Sequence, residues 1–456
     1  MPSTSSAVSD SGRSVPSSLW RDRDFRRLWV GQTASQLGEH TASIVLPLLA
    51  VLTLDADAGE LGVLRAVGQA PLLLLSLFAG AWVDRWRTRT VMAATDAGRT
   101  LMLGTAGVAG LFGWLGLPAL LVVALAVGAL SVFFDVAYQA SVVRLVRRER
   151  LLQGNSALEG SRSAAQIGGP ALGGALVSLL SAPVAAASGA VFFALSFLSI
   201  RRIRRTESIP EHPEHPEHPE RPPRVWRRIR KGLSFVVGDI SLRTVCLASA
   251  AFQFSFAAMM TVYLLFLPRE LHLSGGAVGL ALAATGPGAL LGAMLAARLP
   301  SRFGYGPVLV SAAALGDGVF LCVPALHGSS AVTVPTLLAV NFVFGAAGQL
   351  VNVTVMAVRQ AVTPDGMQGR AAATITFVGM GTAPLGSLLG GFLAMGWGVR
   401  TSLLVTAAGM MLSPVVMASS PLARLGRALP AGQNAPLTAG RSAVHGPGSR
   451  PSDDVG

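Results

Sequence analysis

Two carboxylates lie inside long apolar runs, where a charge has no ordinary reason to be. Glu39 follows Arg27 by twelve positions, which is about 18 Å of helix and reaches mid-bilayer if the run crosses a membrane. Asp135 precedes the basic stretch beginning at Arg144 by nine positions, in another such run. A carboxylate at that depth is costly, so it must face water, carry a proton or have a partner. Such a group can load and release a proton, or hold a cation. The alternative is a fixed structural bond, from Glu39 to His40 or a hydroxyl, and from Asp135 to Tyr138 or Gln139. Glu159 and Arg162 stand three apart and share a helix face. They suit either an ion-pair network or the lining of a polar cavity. Asp96 and Arg99 have the same spacing and read as an internal pair. Later runs hold Asp317 as their one deep charge, so a proton relay is expected in the first half. Phe252, Gln253, Asn341 and Asn352 suit the wall of an amphipathic pocket, or ordinary packing.

The elements that carry these residues are membrane helices. The chain has 456 residues, of which 51% are hydrophobic and 13% charged. Its mean hydropathy is +0.55. Soluble chains carry about 25% charged residues, so the bilayer is the expected solvent. Runs of about 20 apolar residues fall near 28–54, 60–83, 90–113, 117–143, 157–180 and 183–201. Six more fall near 242–268, 275–298, 306–327, 331–357, 370–395 and 399–420. The expected class is an all-α integral membrane protein, with twelve transmembrane helices in two six-helix pseudo-repeat bundles. Barrel strands would show short alternating segments instead.

Arginines accumulate on one side of these runs: Arg21 to Arg27, Arg85 to Arg89, Arg144 to Arg150, the segment from Arg201 to Lys231, and Arg424 and Arg427. Positive loops face the cytoplasm. Both termini are therefore expected there, in a multi-pass protein of the cell membrane. The net charge of +13 then sets topology and attracts anionic lipid. No basic soluble domain is present, so nucleic-acid binding is not expected. The N-terminus lacks a cleavable signal core, and the first span should act as an uncleaved anchor. Cys246 and Cys322 sit towards opposite ends of their spans, too far apart for a disulfide.

The expected organisation is a disordered N-terminus over 1–20, bundles over 21–203 and 242–423, a linker over 204–241, and a disordered tail over 424–456. The linker repeats Glu-His-Pro three times from Glu211. In a polyproline helix its histidines lie about 9 Å apart, too far to share a metal whose ligands sit about 2 Å away. A solvated linker is the expectation, with no metal and no cofactor. Alternating basic and apolar residues from Val225 to Val237 suggest a helix lying on the inner membrane surface.

A short turn from Gly80 to Arg89, with Asp84, Arg85, Arg87 and Arg89, separates two membrane-length runs. With six plus six spans and a basic middle loop, it resembles the loop between spans 2 and 3 of the major facilitator superfamily. The resemblance covers about residues 21–423. The stretches Phe25 to Glu39, Phe134 to Gln139 and Asn155 to Arg162 are similar to the branch containing the enterobactin exporter and macrolide-efflux proteins. Gly169, Pro170, Gly173 and Gly174 resemble the span 5 motif of proton-coupled drug exporters. The resemblance implies that spans 1 and 4 flank a central cavity. It also implies that Gly80, Asp84, Arg85 and Arg89 form a cytoplasmic gate against span 11, and that the span 5 glycines form a hinge or seal. Three positions depart from the pattern. Arg87 and Ala165 stand where glycines are usual, and Leu121 to Phe134 contains no arginine. The halves repeat weakly. Ala383 to Gly391 matches the span 5 motif, and Arg302 to Gly304 matches the first loop, with Ser301 in place of Asp84.

The expected function is secondary transport: proton-coupled export of amphiphilic drugs or natural products by a monomer in contact with lipid. The alternatives are an importer or uniporter of a small metabolite, and a non-transporting receptor or assembly factor. An enzyme is not expected, because no nucleotide loop, nucleophile elbow or metal-ligand spacing is present.

Overall fold

The computed structural model describes residues 19–83, 86–146, 150–204, 233–328, 331–363 and 368–427. All regular elements among them are helical. The first six are α1 (Arg23–Thr53), α2 (Ala58–Val83), α3 (Thr88–Leu111), α4 (Leu117–Leu145), α5 (Leu151–Leu180) and α6 (Ala182–Arg201). Then come α7 (Ile240–Arg269), α8 (Gly275–Ala296), α9 (Tyr305–Ala325, closing in a 3-10 stretch), α10 (Thr333–Val362), α11 (Gln368–Trp397) and α12 (Val399–Ala418). Ten of the twelve are long and apolar enough to cross a membrane. The other two, α1 and α3, match them in length at 31 and 24 residues. They carry Glu39, His40, Asp96 and Arg99, the charges that dilute their hydropathy.

Local sequence explains where the helices start and break. Asp22 caps α1 by accepting from the backbone N–H of Asp24 and Phe25. Asp239 caps α7 in the same way, accepting from Ser241 and Leu242. Asp57 and Glu60 bond each other's backbone N–H reciprocally at the start of α2, a capping box. The later helices are interrupted at Ala284, Thr382 and Met411, each shortly before Pro287, Pro384 or Pro414. Proline lacks the N–H that the preceding turn needs, and its ring crowds the carbonyl behind it. The repeated Glu-His-Pro tract and most of the segment read as a surface helix lie outside the described residues.

Helices pack in two equivalent sets. In the first half α1 lies on α5 and α6, α2 on α4, and α3 on α4 and α6. In the second, α7 lies on α11 and α12, α8 on α10, and α9 on α10. Between halves, α2 meets α11 and α5 meets α8, contacts that exchange when each helix is replaced by its counterpart six along. The glycines give the register. Gly169 and Gly173 pack on α1, at His40 and Thr41, while Gly386 and Gly390 pack on α7, at Phe254 and Ala258. One residue on, Gly174 meets Gly279 of α8 and Gly391 meets Gly62 of α2. Small residues let membrane helices approach backbone to backbone, so these glycines set the distance between the halves.

The close contacts between halves lie towards the end of the bundle that holds the α1–α2 and α7–α8 loops. There Arg269 donates to Asp55 Oδ1 at 2.9 Å and to the Ala56 carbonyl at 2.8 Å. On α5 they run from Ile167, against Gly286, to Ser178, against Gly276. Nearer the termini, Glu159, Arg162, Ser163 and Gln166 of α5 are exposed. Among the described residues the halves therefore converge at one end and part towards the other, leaving a cleft that opens on the side of the termini.

Candidate functional site

At the heart of the first half is a polar cluster built from four helices. Arg99 and Asp96, both fully buried, pair through Nη2 and Oδ1 at 2.5 Å. Arg99 Nη2 also donates to Ser35 Oγ of α1 at 2.9 Å, and Nη1 donates to Ser131 Oγ of α4 at 3.2 Å. Asp96 accepts from Ser35 and from Ser196 of α6. The rings of Phe134 and Phe193 each lie 4.4 Å from the guanidinium carbon. A cation between aromatic faces is attracted to their π-electrons. Desolvating two opposite charges is costly, and this pair is held by added hydrogen bonds that occupy both carboxylate oxygens.

Glu39 sits at the cleft edge of the cluster. Its side chain is 33% exposed, and Oε2 lies 3.8 Å from Arg99 Nη1. That oxygen is itself shielded and has no hydrogen-bond partner. The fixed bond to His40 or a hydroxyl, open as an alternative from sequence, is absent for this atom. Asp135 is half-buried on α4, within electrostatic reach of Glu39, Arg99 and Arg162. Arg162 reaches Glu39 and His40 in the same way from α5. Glu39, Asp135 and Arg162 therefore gather around one region, although they are far apart in the chain. No ion pair joins Glu159 to Arg162 among the described residues. The expected Asp96–Arg99 pair is present, and it is the inner wall of this region.

Asp84 and Arg85 lie outside the described residues, and Gly80 is in the last turn of α2. Arg89 donates through Nη1 to the carbonyl of Ile203, tying α3 to the end of α6 within the first half. In α5, Thr41 Oγ1 donates to the Gly169 carbonyl. A Cβ at Gly174 would lie 2.4 Å from Gly279 Cα, and one at Gly279 would lie 2.8 Å from the Pro170 carbonyl. The motif thus packs on α1 with one face and on the other half with the next. Phe252 and Gln253 are half-buried and Asn352 is exposed. Phe252 stacks with Phe256 and Phe344, which joins α7 to α10. Asn341 is in the packed core, donating Nδ2 to Tyr263 Oη at 2.9 Å. Arg65 does not reach out to the surface as a long side chain near a span end usually would. It is half-buried, and its Nε is enclosed without a partner.

Sequence reasoning missed the hydroxyls. Ser35 stands one turn before Glu39, and Ser131 one turn before Asp135. A hydroxyl at i−4 from an intramembrane carboxylate, repeated on two helices, is the signal that points to a shared partner. Among the described residues, no group of three or more His, Cys, Asp or Glu could hold a metal ion.

The fold and the cluster define a class: a multi-pass α-helical transporter of the major facilitator type, with two six-helix halves around a polar cleft. The sequence model of the transmembrane secretion effector family matches residues 15–438, and the chain belongs to this family. It is a transporter of small molecules, not an enzyme. It is 28% identical over 410 residues to the multidrug efflux pump Tap of Mycobacterium tuberculosis, covering 85% of this chain and 91% of that one. Among solved structures, a bacterial homologue of the iron transporter ferroportin in an inward-facing state superposes with a TM-score of 0.69. It is 16% identical, and the match covers 88% of this chain and 98% of that one. A bacterial homologue of the human lysosomal transporter Spinster, inward-facing and unoccupied, gives 0.67 at 12% identity, covering 88% and 97%. At these identities the two structures speak for the fold alone.

Proposed function

We propose that this protein exports amphiphilic small molecules across the cell membrane in exchange for protons. The observation that carries the reading is the placement of Glu39 and Asp135. Both are partly exposed and within electrostatic reach of each other, and beside them lies a buried Arg99 that can hold a negative charge. The similarity to a multidrug efflux pump supports the outward direction. With both termini in the cytoplasm, as the arginine distribution favours, the cleft opens inward. The halves, residues 21–203 and 242–423, then rock about a midplane site. Substrate enters from the cytoplasm or the inner leaflet, against the Phe252 and Gln253 wall. Proton binding at Glu39 or Asp135 changes the balance between inward- and outward-facing states. The glycine seam between α5 and α8 keeps the outer end shut meanwhile. Gly80, Asp84, Arg85 and Arg89 close the inner end in the opposite state. The protein works as a monomer surrounded by lipid.

The test is growth of a host expressing the protein on a panel of toxic amphiphiles, beside Glu39→Gln and Asp135→Asn. Resistance that disappears in either variant, and when a protonophore collapses the proton gradient, supports the exchange. Efflux that survives collapse of the gradient sinks the coupling. Resistance unchanged in both variants sinks the assignment of these carboxylates. Vesicles that accumulate the compounds in the opposite direction turn the exporter into an importer.

A further inference from the structure

The ion pair at the centre of the first half is complete on one side only. Arg99 commits Nη2 to Asp96 and Ser35, at 2.5 and 2.9 Å. Its Nη1 stands between two looser acceptors on different helices, Ser131 Oγ of α4 at 3.2 Å and Glu39 Oε2 of α1 at 3.8 Å. A charge-assisted bond between such groups is normally about 2.7–2.9 Å. Glu39 is thus about 1 Å short of closing on a cation that faces it. Phe134, Phe193, Asp96 and Ser35 hold the two faces and the Nη2 side of the guanidinium, while its Nε has no hydrogen-bond partner, so the group can tilt in place but cannot travel. What can change is the direction of Nη1 and the position of the Glu39 side chain.

We propose that Arg99 is a positioning residue for Glu39, whose Nη1 bonds Ser131 on α4 while Glu39 carries a proton and turns to Glu39 on α1 once that proton has left. This rests on the reading of Glu39 as a proton carrier. The charged and titratable groups facing Glu39 are Arg99 and Asp96 of α3, Arg162 of α5, Asp135 of α4 and the neighbouring His40. The α6 side of the cluster presents Phe193 and Ser196. Arg162 is exposed and Asp135 half-buried, so cleft water screens both. Asp96 has its charge neutralised by Arg99. Arg99 is the one fully desolvated cation, and attraction between charges is strongest where water is excluded. The exchange also has a mechanical exit. His40 and Thr41, the next two residues of α1, seat on Gly169 and Gly173, and α5 presents Gly174 to the other half from the adjoining face. Any shift of α1 that accompanies the closure of Glu39 on Arg99 is therefore delivered to the helix that seals the halves.

The experiment is a pH titration of the reconstituted full-length protein without substrate, read by infrared difference spectroscopy of the protonated carboxyl C=O stretch. The Glu39 band is the one lost in Glu39→Gln. In Ser131→Ala, Nη1 has no competing acceptor, so Glu39 should release its proton more readily. The band midpoint falls by about half a pH unit or more, as expected when an opposite charge engages a carboxylate more fully. Ser131→Thr keeps the hydroxyl and keeps the wild-type midpoint. Arg99→Lys, if it folds, replaces the fork by one point charge that Asp96 takes, and the midpoint rises. A Glu39 band that titrates but stays in place, or moves up, in Ser131→Ala overturns the exchange and leaves the proton-carrier reading intact. If Glu39→Gln removes no titrating band, both fall together.

Discussion

The seam between α5 and α8 offers a quantitative test of how the halves close. An ideal Cβ at Gly174 would lie 2.4 Å from Gly279 Cα and 2.5 Å from the Gly275 carbonyl oxygen, both backbone atoms that cannot rotate away. Ordinary contact begins near 3.4 Å. Gly174→Ala therefore forces α5 and α8 apart by about 1 Å, the scale of an overpacked core that costs about 1–3 kcal/mol. The cost falls on the conformation closed at this end. It is absent once the helices have separated, so the equilibrium should move towards opening by about 5–150-fold. Val177 reports on this, because it is buried at 7% exposure and lies against Gly275. In a Cys246→Ala, Cys322→Ala background, Val177→Cys should react with a soluble maleimide only when the seam opens. Adding Gly174→Ala should raise the labelling rate by a factor in that range. Gly168→Ala serves as the control, since its Cβ would meet open space, and should leave the rate alone. An unchanged rate in a well-folded Gly174→Ala protein would refute the idea that this contact holds the end shut.

Three further outcomes follow from other contacts. Asp96→Asn removes the fully buried carboxylate bonded to Arg99 and leaves only the looser Glu39 to face it, a loss of up to about 3–5 kcal/mol, and thermal unfolding in detergent should show it as a large drop in melting temperature. Replacing both residues, as Asp96→Leu with Arg99→Met, should recover part of that loss, which a simple count of lost bonds would not allow. Asn341→Leu breaks the bond to Tyr263 in the packed core; it should lower thermal stability while leaving the ranking of exported compounds unchanged in growth assays. Asp55 is 96% exposed in its contact with Arg269, and exposed ion pairs contribute little, so Asp55→Asn should keep efflux within about twofold of wild type. Arg269→Ala, which also frees the Ala56 carbonyl, should have the larger effect of the two.

Much of the molecule follows from local sequence. The apolar runs, the arginines between them and the capping residues dictate helices, their number and their alternation, because a bilayer leaves the backbone no other way to satisfy its polar groups. The Asp96–Arg99 pair was legible for the same reason, since two residues three apart must share a face. The span 5 glycines were legible as a packing motif, and their repeat in α11 as a weak echo. Only the tertiary structure shows that the echo is in register, with Gly174 on Gly279 and Gly391 on Gly62. Arg65 and Asn341 show the limit from the other side, because what a polar side chain faces across a helix depends on its neighbours, and nothing local encodes them.

The central cluster belongs wholly to the second category. Ser35, Glu39, Asp96, Arg99, Ser131 and Ser196 come from four helices, and α1 and α6 lie more than 100 residues apart in the chain. Helical period says which face of its own helix each residue occupies. It does not say which helix that face will meet, because in lipid the partners are chosen by shape and small residues rather than by burial from water. The sequence determined that this chain must be a bundle of membrane helices carrying costly charges. The packing of α1 and α3 on the same two helices, α4 and α6, decided which charges meet, and left Glu39 within reach of Arg99 but not yet bonded to it.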